Sequence, residues 1–335
     1  MNMEEVVSYV RKRGMKRSPQ RFYFAISFFF MFFCGTNGMD ALSPALQWPS
    51  WPLPPADTTD GRLFSLDMET DLYFQTVRQH VLTDEGTLRR LDWGNLFPLV
   101  AITLQVQPKD WWLMVCGEAG IPWEAGVVQD RDFQPGTSNV THCSEHDLQL
   151  DNRLGVTVAA GYNVGLPGWL LRPWLGFTYR RHTMSGLDGY LQYPAAGFRT
   201  GRELQEEVNG RVLQYQLDFF LPAVGLFAQL NTRFPLTVEA GIIPYLWVNA
   251  VDFHYVRLRQ FKDYMHGGPG CWLELGVQFL SLELSLGAEC LRAFSGRTHR
   301  SSIGTGSSSV VDASSTPALD SLSIYLSLRC TFLSR

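Results

Sequence analysis

Two short acidic motifs hold the side chains with the chemistry for hydrolysis. In Asp252-Phe253-His254 a carboxylate and an imidazole stand two residues apart. In an extended chain residues i and i+2 project from one face ~6.6 Å apart, so Asp252 can hold and orient the His254 ring. An imidazole held in this way is a general base for water near neutral pH. In Asp130-Arg131-Asp132 two carboxylates share the same spacing. Each perturbs the other's ionisation, and together they form an acidic wall against which a water can be held. A base facing an acidic pair can activate water directly, with no Ser or Cys nucleophile. The two motifs lie far apart in the chain, so the fold has to bring them together.

Composition narrows the fold. The 335 residues carry 28 Lys and Arg against 32 Asp and Glu, for a net charge of -4, which gives no basic footprint for nucleic acid. Outside the N-terminus no apolar run approaches the ~18 residues of a membrane helix. The six cysteines, Cys34, Cys116, Cys143, Cys271, Cys290 and Cys330, include no CxxC and no zinc-like spacing, so neither a metal nor a disulfide is expected. At the N-terminus six Lys and Arg residues between Arg11 and Arg21 precede the apolar run Phe22–Phe33. That is the layout of a secretory signal peptide, expected over residues 1–38. Residues 39–69 include the Pro-rich Gln47–Pro55 and read as a linker.

From residue 70 to 335 the pattern has period two. Leu148, Leu150, Leu154, Val156 and Val158 alternate with Asp147, Gln149, Asp151, Arg153 and Thr157; Leu322, Ile324, Leu326 and Leu328 alternate with Ser323, Tyr325, Ser327 and Arg329. The runs reach ~10 residues, the length a tilted strand needs to cross a bilayer. The expected fold is all-β: a transmembrane antiparallel β-barrel of about ten strands, with long loops at the extracellular end. Trp111, Trp112, Trp169, Trp174 and Trp272 fall near segment ends, where an interfacial girdle belongs.

Alternate connections are short, at 107–109, 165–168, 231–235 and 279–280, and the others are long, at 83–90, 125–142, 185–208, 252–269 and 295–319. Asp130 and Asp132 fall in one long connection and Asp252 and His254 in another, so both motifs are expected at the same rim. Residues 250, 252 and 254 continue the outward parity of Leu236, Val238 and Ile242. A bulge or bend, with Pro244 as the marked position, has to turn the dyad inward.

The sequence resembles the omptin family of outer-membrane proteases. Leu91-Asp-Trp93, Gly126–Phe133, Glu145-His-Asp-Leu148, Asn209-Gly-Arg211, Leu221–Leu226, Trp247-Val248, Asp252-x-His254-Tyr255 and a last strand reaching Phe332 carry the resemblance. It implies a bacterial outer-membrane barrel whose active site faces outside, acting as a monomeric endopeptidase on peptides or proteins at the cell surface. It also implies that Asp130 and Asp132 are the acidic pair and Asp252 and His254 the acid and base. Membrane lipid is the expected surrounding partner, no cofactor is implied, and an outer-leaflet glycolipid is the remaining candidate effector. The family lines the pocket before the scissile bond with two carboxylates. An ungapped count puts Thr76 and Ala250 at those positions, so a preference for apolar or small residues is expected, with Glu69 and Asp71 as alternatives if the first strand is shifted. A catalytically silent barrel of the same fold, acting as an adhesin or structural protein, is the competing expectation, and a small transport barrel is a third.

Overall fold

A computed structural model describes residues 64–192, 205–302, 308–310 and 316–334. The expected signal peptide, 1–38, and residues 39–63 of the linker lie outside the described residues. Residues 64–69 of that linker already belong to the first strand.

The strands in chain order are β1 (Phe64–Thr83), β2 (Gly86–Val106), β3 (Trp111–Gly120), β4 (Trp123–Phe133), β5 (Val140–Tyr162), β6 (Val164–Leu166), β7 (Trp169–Gln192), β8 (Gln205–Glu207) and β9 (Arg211–Leu230). They continue as β10 (Leu236–Ile243), β11 (Leu246–His254), β12 (Arg259–Gly267), β13 (Gly270–Phe279), β14 (Leu282–Ala293), β15 (Ser295–Ser302), β16 (Ser308–Val310) and β17 (Thr316–Ser334). Several are halves of one stave. β3 and β4 both pair with β2 on one side and β5 on the other. β10 and β11 likewise share β9. β12 and β13 are flanked in the same way by β11 and β10 and by β15 and β14. Joined up, the described segments trace ten antiparallel staves, and β1 closes the ring by pairing with both β2 and β17.

Alternation divides each stave. Ile102, Leu104, Val156, Val158, Leu175, Val224, Leu275, Leu286 and Leu326 form an exposed apolar belt near the short-turn end. Lipid solvates such a face, while the closed ladder leaves no backbone group unpaired in the bilayer. Beyond the belt the staves continue. The connection expected at 83–90 is a tight turn at Thr83–Gly86, and the one expected at 252–269 shrinks to 255–258. There the outward row turns polar, as with Arg90 and Asp92 on β2, so the apolar signature of a crossing strand stops although the strand does not.

Inside the emergent half, Trp93, Phe97, Leu150, Met184, Tyr215, Leu217 and Phe219 are buried as a core. Below it the lumen is ionic. Arg180 joins Glu118 of β3 to Glu289 of β14, and Arg329 of β17 joins Glu69 of β1 to Glu283 of β14. The packed core is the floor on which the rim residues stand.

Candidate active site

The acidic pair is on a strand, not on the expected loop. On β4, Ala125 and Val128 are both buried, because a bulge between Glu124 and Gly126 inserts one residue. Gly126 has φ 147°, and a Cβ there would stand 2.1 Å from the Gly94 carbonyl oxygen. A larger residue would therefore be strained and would clash. This glycine fixes the parity that turns Val128, Asp130 and Asp132 toward the lumen.

The dyad reaches the lumen by the break expected near Pro244. Ile242 is opposite Val224 and Trp247 is opposite Phe220, so five steps on one side match four on the other. The extra residue reverses the row. Ile242 faces out, while Leu246, Val248, Ala250, Asp252 and His254 are buried. Both motifs stand above the apolar belt, on opposite sides of the lumen.

His254 Nε2 lies 2.7 Å from Asp252 Oδ2. Arg89 of β2 connects this dyad to the acidic pair. Its Nε donates to Asp130 Oδ1 at 2.9 Å and its Nη2 to Asp130 Oδ2 at 2.8 Å, a bidentate pair. The same Nη2 lies 3.3 Å from Asp252 Oδ2 and 2.9 Å from His254 Nε2. Asp132 is further out, 3.9 Å from Arg89 Nε and 3.9 Å from His142 Nδ1. Burial by itself would raise the pKa of Asp130, but the Arg89 charge and its two hydrogen bonds outweigh it and hold the carboxyl below the usual range. Asp132 moves the other way: burial and the charge of Asp130 raise it. Four acid/base groups thus converge, with two carboxylates of opposite ionisation tendency facing an imidazole.

Of the two expected pocket residues, Ala250 lines the lumen. Thr76 does not: Asp71, Tyr73, Gln75, Val77 and Gln79 form the buried row of β1, and Thr76 lies on the outward row with Leu72. The ungapped count is one residue out of phase, which in a strand exchanges the two faces. Nor do Glu69 and Asp71 reach the site. Asp71 lies eight residues below Gln79, ~26 Å along an extended strand, and Glu69 is held by Arg329.

Sequence reasoning overlooked Asp263 and Arg89. Asp263 of β12 is opposite Ala250, accepts a hydrogen bond from Gln79 Nε2 and keeps a buried oxygen without a partner. The lumen wall at Ala250 therefore does carry a carboxylate, supplied by the neighbouring strand. Arg89 could have been found by extending the inward parity of Leu91 and Trp93 one step into the residues read as a loop.

No family model matches the chain, and no curated protein matches its sequence. Among solved structures the chain is similar to the outer membrane protease OmpT from Escherichia coli, with a TM-score of 0.66 at 16% identity, over 80% of this chain and 96% of that one. The barrel is omptin-like. Looser similarity extends to the translocator domain of the autotransporter NalP from Neisseria meningitidis (TM-score 0.32, 10% identity, 78% of this chain and 88% of that one). A major outer membrane protein from Thermus thermophilus (TM-score 0.29, 10% identity, 80% and 99%) is similarly distant. By the similarity to OmpT, the architecture is that of an outer-membrane β-barrel.

Proposed function

We propose that this protein is an outer-membrane endopeptidase working at the cell surface, with Asp130, Asp132, Asp252 and His254 as its catalytic residues. The observation that carries the reading is the assembly of all four around one point at the end of the barrel away from the short turns. They come from β4 and β11, which do not adjoin, and each strand needs its own register break to present them. The similarity to OmpT supports the fold on which such a site would stand.

The chemistry follows from the groups. A water held against Asp130 loses a proton to the imidazole of His254 as its oxygen bonds to the peptide carbonyl carbon, and the carbonyl π pair moves to oxygen. Collapse of that tetrahedral species breaks the C–N bond, and the imidazolium returns its proton to the departing amine. Asp252 lies against the same Nε2 and accepts its N–H once that nitrogen has taken up the proton, which positions the ring to return it. Asp132, whose pKa is raised, lessens repulsion beside Asp130. Asp263 and Ala250 line the wall below, so the residue before the scissile bond meets a carboxylate.

The test is incubation of refolded barrel with casein and with a denatured proteome digest, beside Asp130→Ala and His254→Ala. Cleavage lost in both variants while the folded barrel keeps its heat-modifiable gel mobility is the expected outcome. A wild-type barrel that cleaves neither substrate favours the reading as a silent adhesin or structural protein. Arg89, standing between pair and dyad, is the observation that speaks for that alternative.

A further inference from the structure

The position of Arg89 leads past the assignment of the four residues. A water activated by His254 against Asp130 has to sit within hydrogen-bond distance of both. Arg89 Nη2 already does so, at 2.9 Å from His254 Nε2 and 2.8 Å from Asp130 Oδ2, with Asp252 Oδ2 at 3.3 Å. Two heavy atoms cannot share that point. The nitrogen of the base is also claimed from both sides, since Arg89 can only donate to it and Asp252 can only accept from it. The arrangement is an ion-pair network around Arg89 that closes the hydrolytic site, with Asp252 Oδ1 buried and left without a hydrogen-bond partner.

We infer that Arg89 is a built-in latch that occupies the position of the reactive water in the resting site and re-pairs with Asp132 when the site opens. The ladder supports the second half. Arg89 is the cross-strand partner of Asp132, not of Asp130. Residues directly opposite are the natural side-chain pair of an antiparallel ladder, yet the guanidinium extends diagonally to Asp130 and leaves Asp132 at 3.9 Å. A change of side-chain rotamer on a fixed backbone would give Arg89 its direct partner and clear the gap between His254 and Asp130. The guanidinium also lies over the Phe261 ring, 5.6 Å from its centroid, an apolar face along which it can slide without losing all of its favourable contacts. Asp132 thereby acquires a role that the water mechanism alone does not give it.

This inference rests on the endopeptidase reading for its activity arm alone. Arg89→Gln removes the charge and shortens the reach; Arg89→Lys keeps a charge but cannot make the bidentate pair. Two readouts are taken on barrels whose folding is verified by heat-modifiable mobility. One is the cleavage rate on casein, and the other is the rate at which diethyl pyrocarbonate modifies His254, followed by mass spectrometry of its peptide. A latch predicts tenfold or faster modification in Arg89→Gln, an intermediate rate in Arg89→Lys, and faster cleavage in the same order. If modification accelerates while no barrel, wild type included, cleaves casein, the latch stands and the endopeptidase reading falls. Unchanged modification of His254 in both variants overturns the latch, as does cleavage that drops with each substitution. Either result would leave Arg89 as a fixed part of the site.

Discussion

Arginine bridges carboxylates at two levels of this barrel, and the two levels differ in what the bridge leaves over. In the membrane-level lumen Arg180 spans Glu118 and Glu289 at 3.1 and 2.9 Å, and Arg153, fully buried beside Glu118, also lies over the Tyr73 ring at 4.3 Å. These charges cross-link staves through the lumen. At the rim Arg89 spans Asp130 and Asp252, but its partners include an imidazole, a third carboxylate, Asp132, stands by at 3.9 Å, and the Arg89 side chain remains 18% exposed. The same ionic chemistry is a strut where every partner is fixed. It becomes a switch where an alternative partner lies within one rotamer and water has access.

The largest effect on activity is expected at His254. With casein as substrate, His254→Ala is expected to lose ~10² to 10⁴ in cleavage rate, with the barrel's resistance to unfolding nearly unchanged. Adding Asp252→Ala to that variant should cost little more, because the carboxylate acts through the ring. Fully additive losses would show that the two do not form one unit.

The complementary substitution is Arg180→Met. Removing one partner from a buried ionic group typically costs about 3–5 kcal/mol, here chiefly through Glu289, since Glu118 keeps its ion pair with Arg153. The urea midpoint of unheated gel mobility should fall accordingly, while the molecules that remain folded keep their rate. Rate loss with an unchanged midpoint would reverse the roles assigned to the two levels.

At Arg89 the contribution to stability depends on pH. The pKa of Asp130 is held below its ordinary value near 3.8, so its ion pair contributes stability above that value and loses it as pH falls through the folded-state pKa. In Arg89→Gln that contribution is absent, and only the weaker influences of His254 and Arg257 oppose the upward push of burial. The stability deficit of the variant should therefore be largest at neutral pH and shrink toward pH 3. Midpoints measured at both pH values check the sign, and a deficit that grows in acid would contradict it.

The smallest effect is expected at Asp263. Asp263→Asn keeps the shape and removes the charge, so cleavage-site profiles of a proteome digest should shift away from basic residues before the cut, with the total rate little changed. An unaltered profile would mean that this carboxylate does not line the pocket.

Much of the site was legible in the chain because strand periodicity is a local property. The shared face of Asp252 and His254, the need for a break near Pro244 to turn that face inward, and the short turns at one end all follow from which side chains alternate. Thr76 shows the limit of such counting, since one residue of phase exchanges lumen for exterior and no local pattern sets the phase between distant anchors. The long connections were misread for a related reason. Period-two hydrophobicity marks a strand only while one face meets lipid, and above the belt β2, β4 and β12 continue with polar residues such as Arg90, Arg131 and Lys262 on the outside.

The sequence by itself determined the all-β class, the near-ten crossings and the residue types that could activate water, because alternation, turn chemistry and composition need no neighbour to be read. Tertiary structure alone decided that Arg89 reaches across the lumen to Asp252 and His254, and that Asp263 of β12 faces Ala250 of β11. Both depend on the register in which staves remote in sequence are joined. Each ladder pairing sets that register through many weak contacts distributed along its length, and no single motif encodes it.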